Sequence, residues 1–247
     1  MSRVAVVTGG ASGIGLGIAR QLTADAHAVA MFDRNGSAAE AGAAEIRANG
    51  GVALAVEVDV ADRNSVDAGF ERVRAELGPV EILVTSAGIE SFDAVLDITA
   101  ETWDRILAVN LTGTFTCVQA ALPDMLEAGW GRIVTIASSS AQSGAPKMAH
   151  YAASKGGVIS LTKSLAVEFA RSGVTANAIA PSLVDTPMAR QAEADGDFPG
   201  VDVVGPMVPL GRAGTPADIA AACSFLCSDG GSYITGQVIG VNGGMYI

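Results

Sequence analysis

The strongest constraint on how this chain can fold is a regular alternation of short, continuously apolar runs with longer helix-like stretches. The runs are Val4–Thr8, Ala28–Asp33, Val52–Val58, Glu81–Ser86, Arg132–Ser138, Val174–Ala180 and Gln237–Val241. Between them lie helical patterns at Ile14–Ala24, Ser37–Asn49 and Arg63–Leu77, with two longer ones near residues 101–128 and 151–171. Apolar residues at successive positions suit a parallel strand covered on both faces, whereas a half-exposed strand would alternate. Strand–helix alternation requires right-handed crossovers and predicts a doubly wound α/β sheet with helices on both sides. No Pro/Gly/Ser linker or repeat divides the chain, so residues 1–247 are expected to form a single domain. One stretch breaks the rhythm: Leu183–Arg212 carries four prolines and scattered apolar residues. An irregular segment of that length in a compact domain is expected to be a functional lid.

Composition narrows the function. Hydrophobic residues make up 49% and charged residues 17%, which suits a large core and argues against disorder. Fifteen Lys plus Arg face 26 Asp plus Glu, a net charge of −11. Such a surface disfavours nucleic acid and anionic membranes, both of which are bound through clustered cations. The N-terminus shows no signal-peptide pattern, and no apolar run approaches the ~20 residues of a membrane span. Cys117, Cys223 and Cys227 are too few for a disulfide framework, and no histidine lies near the Cys223/Cys227 pair to complete a metal site. Buried free thiols and a cytoplasmic location are expected, with no metal.

The first strand runs into Thr8-Gly9-Gly10-Ala11-Ser12-Gly13-Ile14-Gly15 and then a helix. Glycines in such a turn allow a pyrophosphate to approach the backbone, and the helix N-terminus offers N–H groups and a positive dipole end. Asp33, closing the second run about 20 residues on, suits the ribose hydroxyls and repels a 2′-phosphate. Beside it, Arg34 could accommodate such a phosphate, but on balance the pattern favours NAD over NADP. Asp59 either caps the following turn or hydrogen-bonds the adenine amino group, and together with Val60 it would wall the adenine pocket.

Tyr151 and Lys155 stand four apart at the start of a helix, which puts them on one face. An adjacent ammonium favours a phenolate, so the pair is expected to lower the tyrosine pKa and prepare it for proton exchange. Ser138 precedes Tyr151 by thirteen residues at the carboxyl edge of the expected sheet, where open α/β folds bind ligands. Asn110 is a polar residue in an apolar helical stretch. Taken alone, it reads as a satisfied core amide or a kink.

Together these motifs resemble the short-chain dehydrogenase/reductase family along the whole chain, closest to the subgroup of 3-oxoacyl-carrier-protein reductases and related alcohol dehydrogenases. The likeness rests on Thr8-Gly9-x-x-x-Gly13-x-Gly15, on Asn110, Ser138, Tyr151 and Lys155 in order and spacing, and on Ile234–Gln237 and Val241–Gly244. It implies a Rossmann fold with seven parallel strands in the order 3-2-1-4-5-6-7. The cofactor half would span about residues 1–130 and the catalytic half about 131–247. It implies Tyr151 as general acid/base, Ser138 on the substrate oxygen, Lys155 on the tyrosine and nicotinamide ribose, and Asn110 holding a water toward solvent. Gly9, Ser12, Gly13, Ile14, Gly15, Asp33, Asp59, Val60, Ser86, Ala87, Gly88, Pro181, Val184 and Thr186 would face the cofactor. Ser140, Gln142, Met148, Ser182 and Met188 would face the substrate. Two departures stand out: Thr85-Ser86 where relatives read Asn-Asn, and Pro181-Ser182 where they read Pro-Gly.

The lid places Met188, Phe198, Val201, Val203, Val204 and Met207 among Glu193, Asp195, Asp197 and Asp202. Before the fifth strand, where carrier-protein reductases carry basic residues, this chain reads Glu127-Ala128-Gly129-Trp130. These features lead to an NAD(H)-dependent secondary-alcohol dehydrogenase or ketone reductase acting on an apolar, cyclic, aromatic or steroid-like substrate. The alternatives are an NAD(P)H-dependent 3-oxoacyl thioester reductase and a non-catalytic cofactor sensor. His150 is expected to line the pocket entrance, and Trp103 and Trp130 to serve in packing. The apolar tail Met245–Ile247 resembles those of homotetrameric relatives.

Overall fold

In the computed structural model, which describes residues 2–247, the seven apolar runs become seven parallel strands in one sheet ordered β3-β2-β1-β4-β5-β6-β7. They are β1 (Val4–Thr8), β2 (Ala28–Asp33), β3 (Val52–Glu57), β4 (Ile82–Thr85), β5 (Gly131–Ile136), β6 (Val174–Pro181) and β7 (Val238–Val241). The helices are α1 (Gly13–Ala24), α2 (Gly36–Ala48), α3 (Arg63–Glu76), α4 (Ala100–Leu107), α5 (Gly113–Ala128), α6 (Ser140–Ser143), α7 (Ala149–Phe169), α8 (Pro187–Ala194), α9 (Val201–Val204) and α10 (Pro216–Cys227).

Alternate residues of each strand serve opposite cores, which is why the runs are apolar throughout. Ala5 and Val7 of β1 pack with Ile18 and Leu22 of α1, Ala43 of α2 and Ile219 of α10. Val4 and Val6 face the other way, toward Val66, Phe70 and Val73 of α3, Val118 and Met125 of α5, and Leu165 of α7. The first core also holds Cys223 and Cys227 as buried free thiols, and Cys117 is buried in the second.

Two expectations are corrected. The helical stretch near 101–128 is not one regular helix: α4 and α5 are joined by a π turn over Ala108–Thr112, centred on Asn110. By length and mean hydropathy alone these 29 residues would pass for a membrane span, although polar residues interrupt them throughout. Their inward face is instead built into the second core through Cys117, Val118, Ala121 and Met125. The lid is also more regular than expected, because α8, α9 and a 3-10 turn at Gly205–Met207 lie within it. A single arginine, Arg190, explains much of this order. Its guanidinium donates to both carboxylate oxygens of Asp185 (2.8 and 2.9 Å), to Glu193 (3.2 Å) and to Asp202 (3.0 and 3.3 Å). It thus ties α8 to α9 and to the end of the strand-six loop.

Trp130 is likewise more than packing. The guanidinium carbons of Arg3 and Arg132 lie 3.4 and 4.1 Å from its ring centroid, at the amino edge of the sheet. Phe70 meets Phe32 edge to face with centroids 5.2 Å apart, directly behind Asp33 at the tip of β2. Both rings are fully buried. Replacing Phe70 with Ala is therefore expected to lower the unfolding free energy by about 3–5 kcal/mol, read from urea denaturation.

Candidate functional site

The loops after β1, β2, β4, β5 and β6 converge at the carboxyl edge of the sheet, and each brings part of the expected site. The glycine turn leads into α1, whose Ser12 cap residue makes no side-chain hydrogen bond, so no side chain satisfies the first-turn N–H groups. By contrast α2, α3, α4, α8 and α10 are capped by Asn35, Asp62, Thr99, Thr186 and Thr215. The turn also has room only for glycine. A Cβ on Gly15 would stand 2.1 Å from the Gly9 carbonyl oxygen, and one on Gly9 would stand 2.9 Å from Ala87. Gly9 and Gly13 additionally adopt positive φ, of 66° and 50°. An uncapped helix start behind a close-packed glycine turn fits a pyrophosphate.

Asp33 stands beside this turn. One carboxylate oxygen accepts from the N–H of Ala11 (3.1 Å) and the other from Asn35 (3.0 Å), leaving a free lone pair on each for a diol. One carboxylate oxygen of Asp59 accepts from the Ala61 N–H at 2.9 Å, closing the following turn, and the other has no partner among the described residues. Val60 is buried against Gly113. Backbone N–H groups of Ser86 and Ala87 donate to the Thr8 hydroxyl at 3.1 and 3.0 Å, which pins the β4 loop to β1. A Cβ on Gly88 would lie 3.4 Å from the Lys155 ammonium. Val184 is buried and bridges to Gly214, while Thr186 both caps α8 and lies against Gly13.

Ser138 sits two residues beyond the end of β5. Its Oγ accepts from the Ser140 backbone N–H (3.2 Å) and hydroxyl (2.9 Å), which leaves its own proton free to donate. The Tyr151 side chain is its neighbour, and this contact pulls the tyrosine pKa down. Lys155 is buried, with its ammonium donating to the Ile136 carbonyl at 2.8 Å and lying 5.8 Å from the Tyr151 ring centroid. Burial pulls the Lys155 pKa down to about 8, with the nearby Glu90 carboxylate opposing.

The expected lowering of the Tyr151 pKa is reversed. Burial pushes it up, Glu90 adds to the rise, and the Ser138 hydrogen bond opposes them. Desolvation outweighs charge here, so the side chain is held as a proton donor.

Asn110 is fully buried and its amide is committed. Oδ1 accepts from the Ile89 N–H (2.9 Å), while Nδ2 donates to the Ile89 carbonyl (3.0 Å) and to Ser154 Oγ (3.0 Å). Ser154 in turn donates to the Tyr151 carbonyl at 2.7 Å. A water linking Lys155 to solvent would have to use the remaining Oδ1 lone pair or the Asn110 carbonyl. Sequence reasoning missed Ser154, although it stands within the Tyr151–Lys155 motif itself. Its signal was a polar residue at i+3 from the tyrosine, on the same helix face.

His150 does not line an entrance. It is fully buried, its Nε2 lies 2.6 Å from Ser91 Oγ and 3.5 Å from an Asp93 carboxylate oxygen, and its Nδ1 has no partner among the described residues. The substrate-side candidates separate. Ser140 stays with Ser138, Met148 is buried at the start of α7, and Met188 is exposed on α8. Gln142 is exposed. Ser182 turns away, donating to the Asn242 carbonyl at 2.9 Å, and so tethers the C-terminal segment.

Comparison with known proteins identifies the family. Residues 9–246 match a family profile described as enoyl-(acyl carrier protein) reductase. The 3-oxoacyl-[acyl-carrier-protein] reductase MabA of Mycobacterium tuberculosis is 40% identical over 245 residues, covering 99% of this chain and 93% of that protein. This chain belongs to the short-chain dehydrogenase/reductase family. The FabG reductase of Staphylococcus aureus is 39% identical to this dehydrogenase/reductase over 248 residues, covering 100% and 99% of the two chains. The structure of a 3-ketoacyl-(acyl-carrier-protein) reductase from Brucella melitensis complexed with NADH superposes with a TM-score of 0.92 at 35% identity, covering 99% and 98%. A nicotinamide cofactor follows from this family and fold. The same relatives overturn the expected apolar or steroid-like alcohol, because they are 3-oxoacyl-[acyl-carrier-protein] reductases. The lid's apolar residues had suggested otherwise, but Val201 is buried in packing, whereas Met188, Val203 and Met207 are exposed.

Burial of the Lys155 ammonium, which the Glu90 carboxylate offsets only in part, destabilises the fold. The folded pKa of Lys155 lies below its ordinary 10.5, so the unfolded chain binds more protons between about 8 and 10.5, and the penalty fades as pH rises through that window. Lys155→Met is expected to raise the melting temperature at about pH 7 and to gain less at about pH 10, as read by thermal unfolding.

Proposed function

We propose that this enzyme reduces a 3-oxoacyl thioester to the 3-hydroxyacyl thioester with NADH. The carrying observation is the convergence of Ser138, Tyr151 and Lys155 at the sheet edge, beside an uncapped glycine turn. When bound, the nicotinamide supplies the hydride that adds to the C3 carbonyl carbon. Ser138 keeps its proton for the carbonyl oxygen, since both contacts from Ser140 are received rather than given. Tyr151, held protonated by burial, gives its proton to the oxygen as negative charge develops there. Lys155 is anchored on the Ile136 carbonyl, and its remaining donors would suit the hydroxyls of a bound ribose and proton return. Asn110 and Ser154 hold the tyrosine backbone in register with the β4 loop.

Asp33 supports NADH over NADPH, since a 2′-phosphate would meet a carboxylate whose oxygens are already fixed by Ala11 and Asn35. The NADH complex of the Brucella melitensis reductase is consistent with this choice. The acidic lid and the Glu127–Trp130 stretch favour a small or coenzyme-borne thioester over an acidic carrier protein. A homotetramer, with the exposed Met245–Ile247 tail at an interface, completes the reading.

Two measurements test it. Acetoacetyl-CoA is expected to be reduced with NADH, and Tyr151→Phe to lower kcat by about 10³-fold while NADH still binds; full retention of turnover overturns the mechanism. NADH is expected to bind at least about tenfold more tightly than NADPH, and Asp33→Ala to narrow that ratio, read by cofactor fluorescence titration.

A further inference from the structure

One ionisable side chain at the site has no place in the chemistry above. Glu90 lies in the loop after β4, between two anchored residues. On one side both backbone groups of Ile89 are held by Asn110 at 2.9 and 3.0 Å. On the other, Ser91 Oγ lies 2.6 Å from the ring of His150, the residue immediately before Tyr151. The backbone of Glu90 is thereby fixed against the start of the helix that carries Tyr151 and Lys155. Its half-buried carboxyl makes no hydrogen bond or ion pair with any described residue. Its charge is felt by Tyr151 and Lys155 on one side and by Asp197 of the lid on the other. Burial and Asp197 both push its own pKa up. Gly88, two residues earlier in the same loop, has its Cβ position 3.4 Å from the Lys155 ammonium, so this anchored loop carries the Glu90 carboxyl into the neighbourhood of that buried charge.

We propose that Glu90 is a specificity-determining residue that admits 3-oxoacyl groups with a neutral C1, as in a thioester, and turns away free 3-oxo acids. The inference rests on the ketone-reducing site proposed above and specifies its substrate class. A 3-oxo acid carries its carboxylate two bonds from the ketone carbon, so docking the ketone on Ser138 and Tyr151 brings the second anion into the field of Glu90. A thioester places an uncharged carbonyl there. Without Glu90, the Lys155 ammonium is left uncompensated and would draw the acid in. The hydrolysis product of the substrate shares its ketone and chain, and exclusion by charge keeps it from competing.

The test compares acetoacetate with acetoacetyl-N-acetylcysteamine, a neutral thioester, in the wild type, Glu90→Gln and Glu90→Asp. Glu90→Gln is expected to raise the acetoacetate-to-thioester ratio of kcat/KM about tenfold, and Glu90→Asp to keep the wild-type ratio. Acetoacetate affinity for the enzyme–NADH complex, followed by NADH fluorescence, should rise in parallel in Glu90→Gln alone. An unchanged ratio and affinity in Glu90→Gln, or equal shifts in both variants, overturns the proposal. If the wild type reduces neither probe, the thioester-reductase reading fails, and the acetoacetate affinities then decide the role of Glu90 by themselves.

Discussion

The site depends on one buried amide. Asn110 joins the backbone of Ile89 in the β4 loop to Ser154 on α7, and Ser154 passes the link to the Tyr151 carbonyl. Without such a tie, the β4 loop and the start of α7 would be joined by little more than the Ser91–His150 contact and apolar packing. A hydrogen-bonded amide fixes direction as well as distance, and its burial makes every alternative geometry expensive, because an orphaned amide costs about 1–3 kcal/mol per group. The π turn that carries Asn110 is part of the same device. Inserting it between α4 and α5 aims the side chain out of the regular helical track and toward the loop.

The electrostatics follow from that enclosure. Tyr151 and Lys155 are packed too deeply for the simple ammonium–phenolate picture, and desolvation dominates both. The tyrosine is kept as an acid and the lysine is brought near neutrality. Burial thus keeps the phenol protonated while bringing the ammonium closer to losing its proton. Glu90 and Ser138 act as opposing trims on this balance, one carboxylate raising the tyrosine pKa and one hydroxyl lowering it.

Much of the architecture was legible in the sequence because burial on two faces leaves an uninterrupted apolar signature. β1 and β2 begin and end at the residues the pattern indicates, and the other strands differ only at their ends. The glycine turn and the Tyr151/Lys155 spacing were legible for a similar reason, since few backbones other than a close-packed turn need Gly9 and Gly15 together. What sequence did not reveal depends on contacts between distant segments. The π turn at Asn110 has no periodic signal. Arg190 looks like an ordinary helix-surface residue until Asp185 and Asp202 are brought to it. His150 and Ser91 are 59 positions apart, and neither shows in isolation that it will meet the other. The substrate was misjudged because exposed and buried apolar lid residues look alike in a sequence.

The stacked arginines around Trp130 give the molecule a built-in spectroscopic reporter. The chain has only two tryptophans, and this one has two guanidiniums over its ring at the edge of the sheet remote from the glycine turn. Its emission responds to the local charge and water around the indole. Loosening of the sheet at its amino edge can thus be followed optically, apart from events among the loops at the opposite end.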